Sequence, residues 1–163
     1  MKKIICLLVS IITWSLILSG CSNNSVPDDA RIKSFSFHRA GYPDWIEIDI
    51  TLSDSGEYRF ISDSFYDGAL YPEAKDLYQK KGVVPEEQVA KLQSIIKEHD
   101  IPAWDGFDKS DDDVLDGASF SLRVEYDDGS TITAEGYMKW PDGFKEASEA
   151  LMSHLQEIAV TLN

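Results

Sequence analysis

The sequence predicts an α+β domain in which an antiparallel sheet of about five strands carries two amphipathic helices packed on one face. Several segments alternate apolar and polar residues with a period of two, and two others repeat apolar residues at helical spacing. The elements follow the order βββ-α-ββ-α, and such grouping of strands and helices is typical of α+β folds. Because 43% of its residues are hydrophobic, the chain has enough apolar material for one packed core.

Three strands are predicted in the first half of the chain. Phe35 and Phe37 alternate with polar neighbours, and residues 45–52 place isoleucine or leucine at every second position. A turn at residues 54–56 then leads into a third strand around Phe60. This alternation is typical of antiparallel strands that have one buried and one solvated face.

The first helix is predicted to open at Pro85, because proline suits the first turn and two glutamates follow it against the positive end of the helix dipole. Val89, Leu92 and Ile96 lie on one face of this helix. Pro102 is predicted to end it, because proline cannot continue a helix.

A hairpin and a second helix complete the predicted fold. Residues 120–126 alternate, an Asp-Asp-Gly-Ser turn follows, and residues 131–138 return with Met138 pointing inward. The last helix is predicted to begin at Pro141. Its apolar stripe consists of Phe144, Ala147, Leu151, Leu155 and Ile158.

The first 20 residues have the order of a secretory signal peptide. Lys2 and Lys3 form its basic start, and the uncharged run 4–18 is 15 residues long, which is short for a membrane span. Residues 21–30 are predicted to be a flexible tether, and residues 31–163 a single α+β domain. Of the two cysteines, only Cys21 lies outside the predicted signal peptide, so no disulfide is expected in the domain.

The sequence Leu18-Ser19-Gly20-Cys21 resembles the lipobox of bacterial lipoprotein signal peptides. The resemblance implies cleavage between Gly20 and Cys21, a diacylglyceryl thioether on Cys21, and a domain held at the extracytoplasmic face of the cell membrane. Two acyl chains are enough for stable anchoring. The alternatives are an ordinary cleaved signal and an uncleaved anchor with an incidental cysteine.

The chain is strongly acidic, with 15 Lys and Arg against 29 Asp and Glu and a formal net charge of −14. Without Lys2 and Lys3 the balance is 13 against 29, or −16. Such a domain repels phosphate backbones, which excludes nucleic-acid binding. An anionic membrane surface is also expected to repel it, so the lipid must hold it there, and any charge-driven partner is expected to be cationic.

Acidic residues are densest within 105–116, where closely spaced oxygen ligands suit Ca²⁺. The spacing fails the EF-hand pattern: counting from Asp108, position six is Asp113 instead of glycine, and position twelve is Ser119 instead of glutamate. A solvated acidic loop is therefore preferred, calcium is the alternative, and no other cofactor is expected. The candidate calcium ligands are Asp108, Asp111, Asp112, Asp113 and Asp116.

Several aromatic residues fall in predicted loops or at the ends of elements, where they often form recognition surfaces. We expect Trp104 and Phe107 to close the end of the sheet and Trp140 to cap the last helix. Three others remain available for a partner. The candidate partner-binding residues are Phe65, Tyr66 and Tyr71.

Motifs that carry catalysis are missing from the sequence. His38, His99 and His154 lie on different predicted elements, where each is expected at the surface or at a helix end and no zinc set forms. The sequence also has no Gly-x-Ser-x-Gly elbow and no phosphate-binding glycine loop. We therefore expect a protein that is not an enzyme, although carboxylate pairs assembled only by folding remain open.

From residue 31 onward the chain resembles a group of uncharacterised bacterial envelope lipoproteins. The similarity rests on the motifs Trp104-Asp105-Gly106-Phe107, Asp116-Gly117-Ala118-Ser119-Phe120-Ser121-Leu122, Tyr126-Asp127-Asp128-Gly129, Gly136, and Trp140-Pro141-Asp142-Gly143-Phe144. The resemblance implies an envelope location and brings no catalytic residues.

The leading hypothesis is a non-enzymatic envelope lipoprotein that binds a protein, a peptide or a glycan. One alternative is a calcium-binding envelope domain. The other is an inhibitor or immunity-type protein that acts on a basic enzyme through charge complementarity.

Overall fold

The computed structural model describes residues 29–41, 44–53, 55–65, 77–111 and 113–162. Strands, two α-helices and one short 3-10 helix make up this part of the chain. In chain order the elements are β1 (Ile32–Gly41), β2 (Asp44–Leu52), β3 (Tyr58–Phe65), β4 (Lys81–Val84), α1 (Glu86–Glu98), the 3-10 helix (Ile101–Trp104), β5 (Phe107–Ser110), β6 (Ser119–Tyr126), β7 (Thr131–Tyr137) and α2 (Phe144–Thr161).

The strands form one sheet of seven in the order β4-β3-β2-β1-β6-β7-β5. Neighbouring strands are antiparallel except β5 and β7, which run parallel. The predicted α+β class is confirmed. The prediction of about five antiparallel strands is wrong, because the sheet has two further strands and is mixed.

The two additional strands are the shortest in the sheet and lie at its two edges. β4 and β5 have four residues each, which is too short for a period of two to stand out in the sequence. β4 contains Gly82, and β5 has Phe107 as its one apolar residue at the start of the acidic run. Pairing with longer neighbours, and not their own composition, makes these segments strands.

Residue alternation divides the sheet into a buried face and an open face. Phe37 pairs in register with Ile48 on β2 and Leu122 on β6, and all three are fully buried. The next position pairs His38 with Glu47 and Ser121, which lie on the opposite, partly exposed face. A shift of one residue in register would exchange these faces, so the pattern strongly fixes the pairing.

Both helices contribute to the same core as the buried face of the sheet. Helix α1 begins directly after Pro85, as predicted, and buries Val89, Leu92 and Ile96. Helix α2 begins three residues after Pro141 and buries a longer stripe. Burial of each leucine or isoleucine side chain contributes about 1.5–3 kcal/mol. Within the part of the chain that the structure describes, no helix is long and apolar enough to cross a membrane.

Polar contacts close the end of the sheet at which β1 begins and β6 ends, which we call the tied end. The hydroxyl of Tyr58 donates a hydrogen bond of 2.8 Å to the carbonyl of Ile32. The backbone N–H of Arg31 donates to the carboxylate of Asp127 at 3.0 Å, and its guanidinium lies 3.4 Å from the carboxylate of Glu86. The start of β1 is thereby joined to three other segments: β3, the turn after β6, and α1.

Two tyrosines of the tied end have raised pKa values. Burial raises the pKa of Tyr58, and the nearby Glu86 carboxylate raises it further. Burial also raises the pKa of Tyr126 to about 12. The hydroxyl of Tyr126 is buried and has no hydrogen-bond partner among the described residues. Both phenols are therefore held in the neutral form.

Two side chains differ from their predicted placement. Met138 was expected to point inward from the last strand, but β7 ends at Tyr137, and Met138 has a φ of 54° and is 38% exposed. His154 was expected at the surface or a helix end, but it is buried in α2. Its Nε2 lies 2.8 Å from the backbone carbonyl of Gln88, so this imidazole joins α2 to α1.

Candidate functional site

Five aromatic rings gather at the opposite end of the sheet, where β1 and β7 end and β6 begins. Rings of Phe120 and Phe144 lie 4.5 Å apart between centroids, and those of Trp140 and Phe144 lie 4.7 Å apart. These separations are typical of favourable aromatic pairs. We call this group the aromatic end, and its members are Trp104, Phe107, Phe120, Trp140 and Phe144.

The fold brings these rings together from separate elements. Phe120 is the second residue of β6, Phe144 is the first residue of α2, and Trp104 is the last residue of the 3-10 helix. Phe107 opens β5, and the ammonium of Lys109 lies 5.2 Å from the centre of its ring. Rings at the ends of four elements thus converge on one cluster beside three connections, and binding sites are often built on loops over a rigid sheet.

Two glycines allow the rings to approach one another. Gly136 is buried in β7, and a Cβ there would meet the carbonyl oxygen of Lys139 and the ring of Phe120. Gly143 has a φ of 72°, which permits the turn that leads into α2. In this turn the N–H of Phe144 donates to the carbonyl of Pro141 at 3.2 Å.

Trp104 is the buried support of the aromatic end. It is 3% exposed, and its indole N–H donates a hydrogen bond of 3.1 Å to the carbonyl of Asp142. The expectation that Trp104 closes the end of the sheet is confirmed, and Phe107 is partly buried beside it. The hydrogen bond fixes the segment that carries Trp140.

Trp140 differs from Trp104 because a large part of its indole faces solvent. It is 41% exposed, and its ring is inclined by only 26° to the ring of Phe144. Phe120 contacts it at 5.5 Å. Trp140 does pack on the first residue of α2, as expected of a cap, but the phenylalanines also hold it as a fixed, exposed aromatic surface.

Trp140 lines several depressions in the described surface. The largest has a volume of about 650 Å³ and also contains Arg39, Lys145 and Glu149. A second, of about 380 Å³, lies beside Trp104 and His99. A small depression of about 150 Å³ lies between the end of β1 and the start of β6. Volumes of the first two fall in the range of small-molecule sites.

The acidic segment 105–116 forms several contacts of its own. Asp111 forms an ion pair of 2.8 Å with Lys139, and this hydrogen bond holds the pKa of the Asp111 carboxyl below its usual range. The carboxylate of Asp105 accepts a hydrogen bond from the backbone of Thr133 at 2.8 Å. Among the described residues, no group of three or more His, Cys, Asp or Glu is placed to hold a metal ion. Three of the candidate calcium ligands, Asp108, Asp113 and Asp116, are exposed, and Asp112 lies outside the described residues.

Another depression, of about 310 Å³, lies on the open face of the sheet. It is lined by His38, Glu135, Tyr137 and several serines. The imidazole of His38 contacts Trp45 edge to face at 5.7 Å, and its Nε2 has no hydrogen-bond partner among the described residues. The hydroxyl of Tyr137 is already engaged, since it donates to the carbonyl of Val114 at 3.0 Å.

Half of the predicted site residues fall outside the described part of the chain. They are Gly20, Cys21, Tyr66, Tyr71 and Asp112, so their predicted roles stay predictions. Phe65 ends β3 opposite Trp45, and only its backbone is described.

The sequence did not predict that the five rings of the aromatic end come together. Phe120 and Phe144 were expected on the apolar faces of a strand and a helix, which is confirmed, and Trp140 was expected to cap the last helix. The motif Trp140-Pro141-Asp142-Gly143-Phe144 was the available signal, since its turn sets the two rings against each other.

Comparison with known proteins adds no family assignment, because no family model and no curated protein matches this chain.

Proposed function

We propose that this protein is a membrane-anchored lipoprotein that binds a protein, peptide or glycan outside the cytoplasmic membrane and does not act as an enzyme. The observation that carries the binding role is the exposed, fixed ring of Trp140 between depressions of about 650 and 380 Å³. Exposed tryptophan at a concave surface is typical of recognition sites.

The anchor part of the proposal rests on the sequence. A basic start, an uncharged run and Leu18-Ser19-Gly20-Cys21 stand in the order of a lipoprotein signal. A flexible tether of ten residues reaches about 17 Å on average, which would keep the domain close to the headgroups. The net charge of the domain opposes adsorption to an anionic surface, so lipid on Cys21 would supply the attachment.

The binding part rests on the exposed apolar area at Trp140. Water contact with apolar surface costs about 25 cal/mol per Å², and a ligand that covers the indole recovers this free energy. The ring is already packed against Phe144 and Phe120, so little side-chain entropy would be lost on binding. These are the properties of a preorganised binding residue.

The proposal needs no cofactor. A calcium site in the acidic segment would require Asp111 to exchange the ammonium of Lys139, 2.8 Å away, for a metal ion. A thermal-shift titration with Ca²⁺ tests this alternative. Absence of a shift at millimolar Ca²⁺ would exclude the calcium alternative. A clear rise in melting temperature would instead support a metal site.

The anchor is tested by replacing Cys21 with Ala and following the full chain in membrane and soluble fractions. The proposal expects wild type in the membrane fraction and loss of lipid labelling and of processing at Gly20 in the variant. Identical labelling, processing and partition of both forms would contradict the anchor.

The binding role is tested by capture of envelope components on the full chain in detergent. Trp140→Ala is compared with Leu115→Ala, because Leu115 is 99% exposed and lies outside the aromatic end. We expect Trp140→Ala to lose the captured partner while Leu115→Ala retains it. Equal capture by both variants would contradict a role for Trp140. A partner that is a basic protein released at high salt would favour the inhibitor or immunity-type alternative.

A further inference from the structure

One flat face of the Trp140 ring packs on Phe144, and the residue is 41% exposed. Phe144 covers the indole on the side where the two rings lie nearly parallel, at 4.7 Å and 26°. Phe120 supports the pair, since it lies within 5.5 Å of both rings. The remaining exposure of 41% therefore belongs to a ring that cannot easily turn away. A ligand with its own flat apolar face is the best match for such a platform.

The rim of the largest depression is polar and carries both signs of charge. Its basic residues are Arg39 and Lys145, and its acidic residues are Asp142, Glu146 and Glu149. Lys145, Glu146 and Glu149 are exposed, so their donors and acceptors are accessible from the depression. The ligand should therefore combine an apolar face with an edge rich in hydroxyl or amide groups.

Other classes of ligand fit this arrangement less well. A purely apolar ligand would desolvate the charged rim without giving it hydrogen bonds, which is costly. A phosphate-rich ligand would be repelled by a chain of net charge −14. A cationic peptide is drawn to concentrated negative charge, but two basic residues offset most of the three acidic residues at this rim.

We propose that the ligand of the aromatic end is a neutral oligosaccharide, with a sugar ring stacked on Trp140 and its hydroxyl groups hydrogen-bonded to the charged rim. This inference rests on the proposed function and names the ligand class. A pyranose ring has an apolar C–H face and an edge of hydroxyl groups, which matches the platform and the rim together. Trp140, Pro141 and Asp142 form a wall shared by the two larger depressions, so a chain of several sugar rings can lie across both.

The test uses the full chain in detergent and isothermal titration calorimetry with three neutral probes, maltotetraose, cellotetraose and chitotetraose. Pentalysine serves as the cationic peptide probe. Each titration is done at about 20 mM and about 500 mM NaCl, because screening weakens charge-driven binding much more than stacking and neutral hydrogen bonding. We expect at least one tetrasaccharide to bind with a Kd that changes less than about twofold between the two salt concentrations.

Variants then assign the binding to the aromatic end. Trp140→Ala and Trp140→Leu should each weaken tetrasaccharide binding at least tenfold. Trp140→Leu keeps apolar volume against Phe144, so it separates loss of the flat ring from loss of packing. Leu115→Ala should bind like wild type, and melting curves confirm that every variant is folded.

Absence of binding by all three tetrasaccharides overturns the proposal, as does binding that Trp140→Leu leaves intact. Salt-sensitive binding of pentalysine at Trp140, with no tetrasaccharide binding, assigns the site to a cationic peptide instead. These failures are distinct from failure of the proposed function. If Trp140→Ala still abolishes capture from envelope extracts, the binding role stands and only the ligand class is wrong.

Discussion

Loops are held in place at both ends of the sheet, but the contacts that hold them differ in kind. At the tied end, loops are held by directed polar contacts such as the 2.8 Å hydrogen bond from Tyr58 to Ile32 and the 3.0 Å bond from Arg31 to Asp127. At the aromatic end, the loops are held by stacked rings, and one ring, that of Trp140, is left 41% exposed.

This difference separates the parts of the molecule that serve stability from those that can serve recognition. Groups at the tied end are largely satisfied within the protein, so a ligand would gain little by replacing those contacts. The aromatic end keeps apolar area in contact with water beside concave surface, and a ligand can cover that area. Mutations at the two ends should therefore separate folding from binding.

The largest expected effect is at the buried support of the aromatic end. Trp104→Ala should lower the free energy of unfolding by about 3–5 kcal/mol, because it removes a large buried ring and leaves a cavity. Urea unfolding of the purified protein measures this change. A loss below about 1 kcal/mol would show that the aromatic end is not a packed unit, and would contradict the claim that stacked rings hold its loops.

A smaller effect is expected at the tied end. Tyr58→Phe removes the hydroxyl that donates to the carbonyl of Ile32, and should lower the free energy of unfolding by about 1–2 kcal/mol. The ring remains in place, so the change reports the hydrogen bond. Unchanged unfolding would mean that this contact does not hold the tied end together.

Tyr126→Phe should raise the free energy of unfolding by about 1 kcal/mol at neutral pH, because it removes a buried hydroxyl that has no partner among the described residues. The variant should differ at alkaline pH. Burial raises the pKa of Tyr126 from 10.0 to about 12, so its contribution is present below pH 10 and is lost as pH rises through 12. Alkaline unfolding should therefore move to higher pH in Tyr126→Phe, and a midpoint that does not move would contradict the assignment.

The smallest effects are expected at one exposed ion pair near each end. Hydrogen bonds from lysine lower the pKa of Asp111, which pairs with Lys139, and of Glu125, which pairs with Lys33. Their contributions are present above the ordinary carboxyl pKa values of 3.8 and 4.5 and are lost as pH falls through the lowered values. Asp111→Asn and Glu125→Gln should each leave the melting temperature at pH 7 nearly unchanged, because exposed pairs contribute little. A fall of several degrees in either variant would show that these pairs are structural.

Strand alternation made the centre of the fold predictable. Phe35, Phe37 and Phe60 stood in segments long enough to show a period of two, and all three are buried. The edge strands were missed because β4 and β5 are four residues long and take their form from pairing with β3 and β7. Their existence depends on long-range contacts that no local pattern records.

The candidate site was less predictable than the core, since exposure depends on tertiary packing. Trp104 and Trp140 both border turns, yet one is 3% and the other 41% exposed. From the local sequence, Trp104 was expected to close the end of the sheet and Trp140 to cap the last helix, and neither expectation indicated this difference in exposure. The burial of His154 could not be predicted for the same reason, because its imidazole contacts the carbonyl of Gln88 on a separate helix.

The most direct test of the account measures stability and partner binding together in one variant from each end. Trp140→Leu should bind the captured envelope partner at least tenfold more weakly than wild type while the midpoint of urea unfolding moves little. Tyr58→Phe should lower the unfolding midpoint. Its affinity for the partner, measured at a temperature where the protein is folded, should stay within about twofold of wild type. Binding that survives in Trp140→Leu, or that is lost in folded Tyr58→Phe, would contradict the assignment of recognition to the aromatic end.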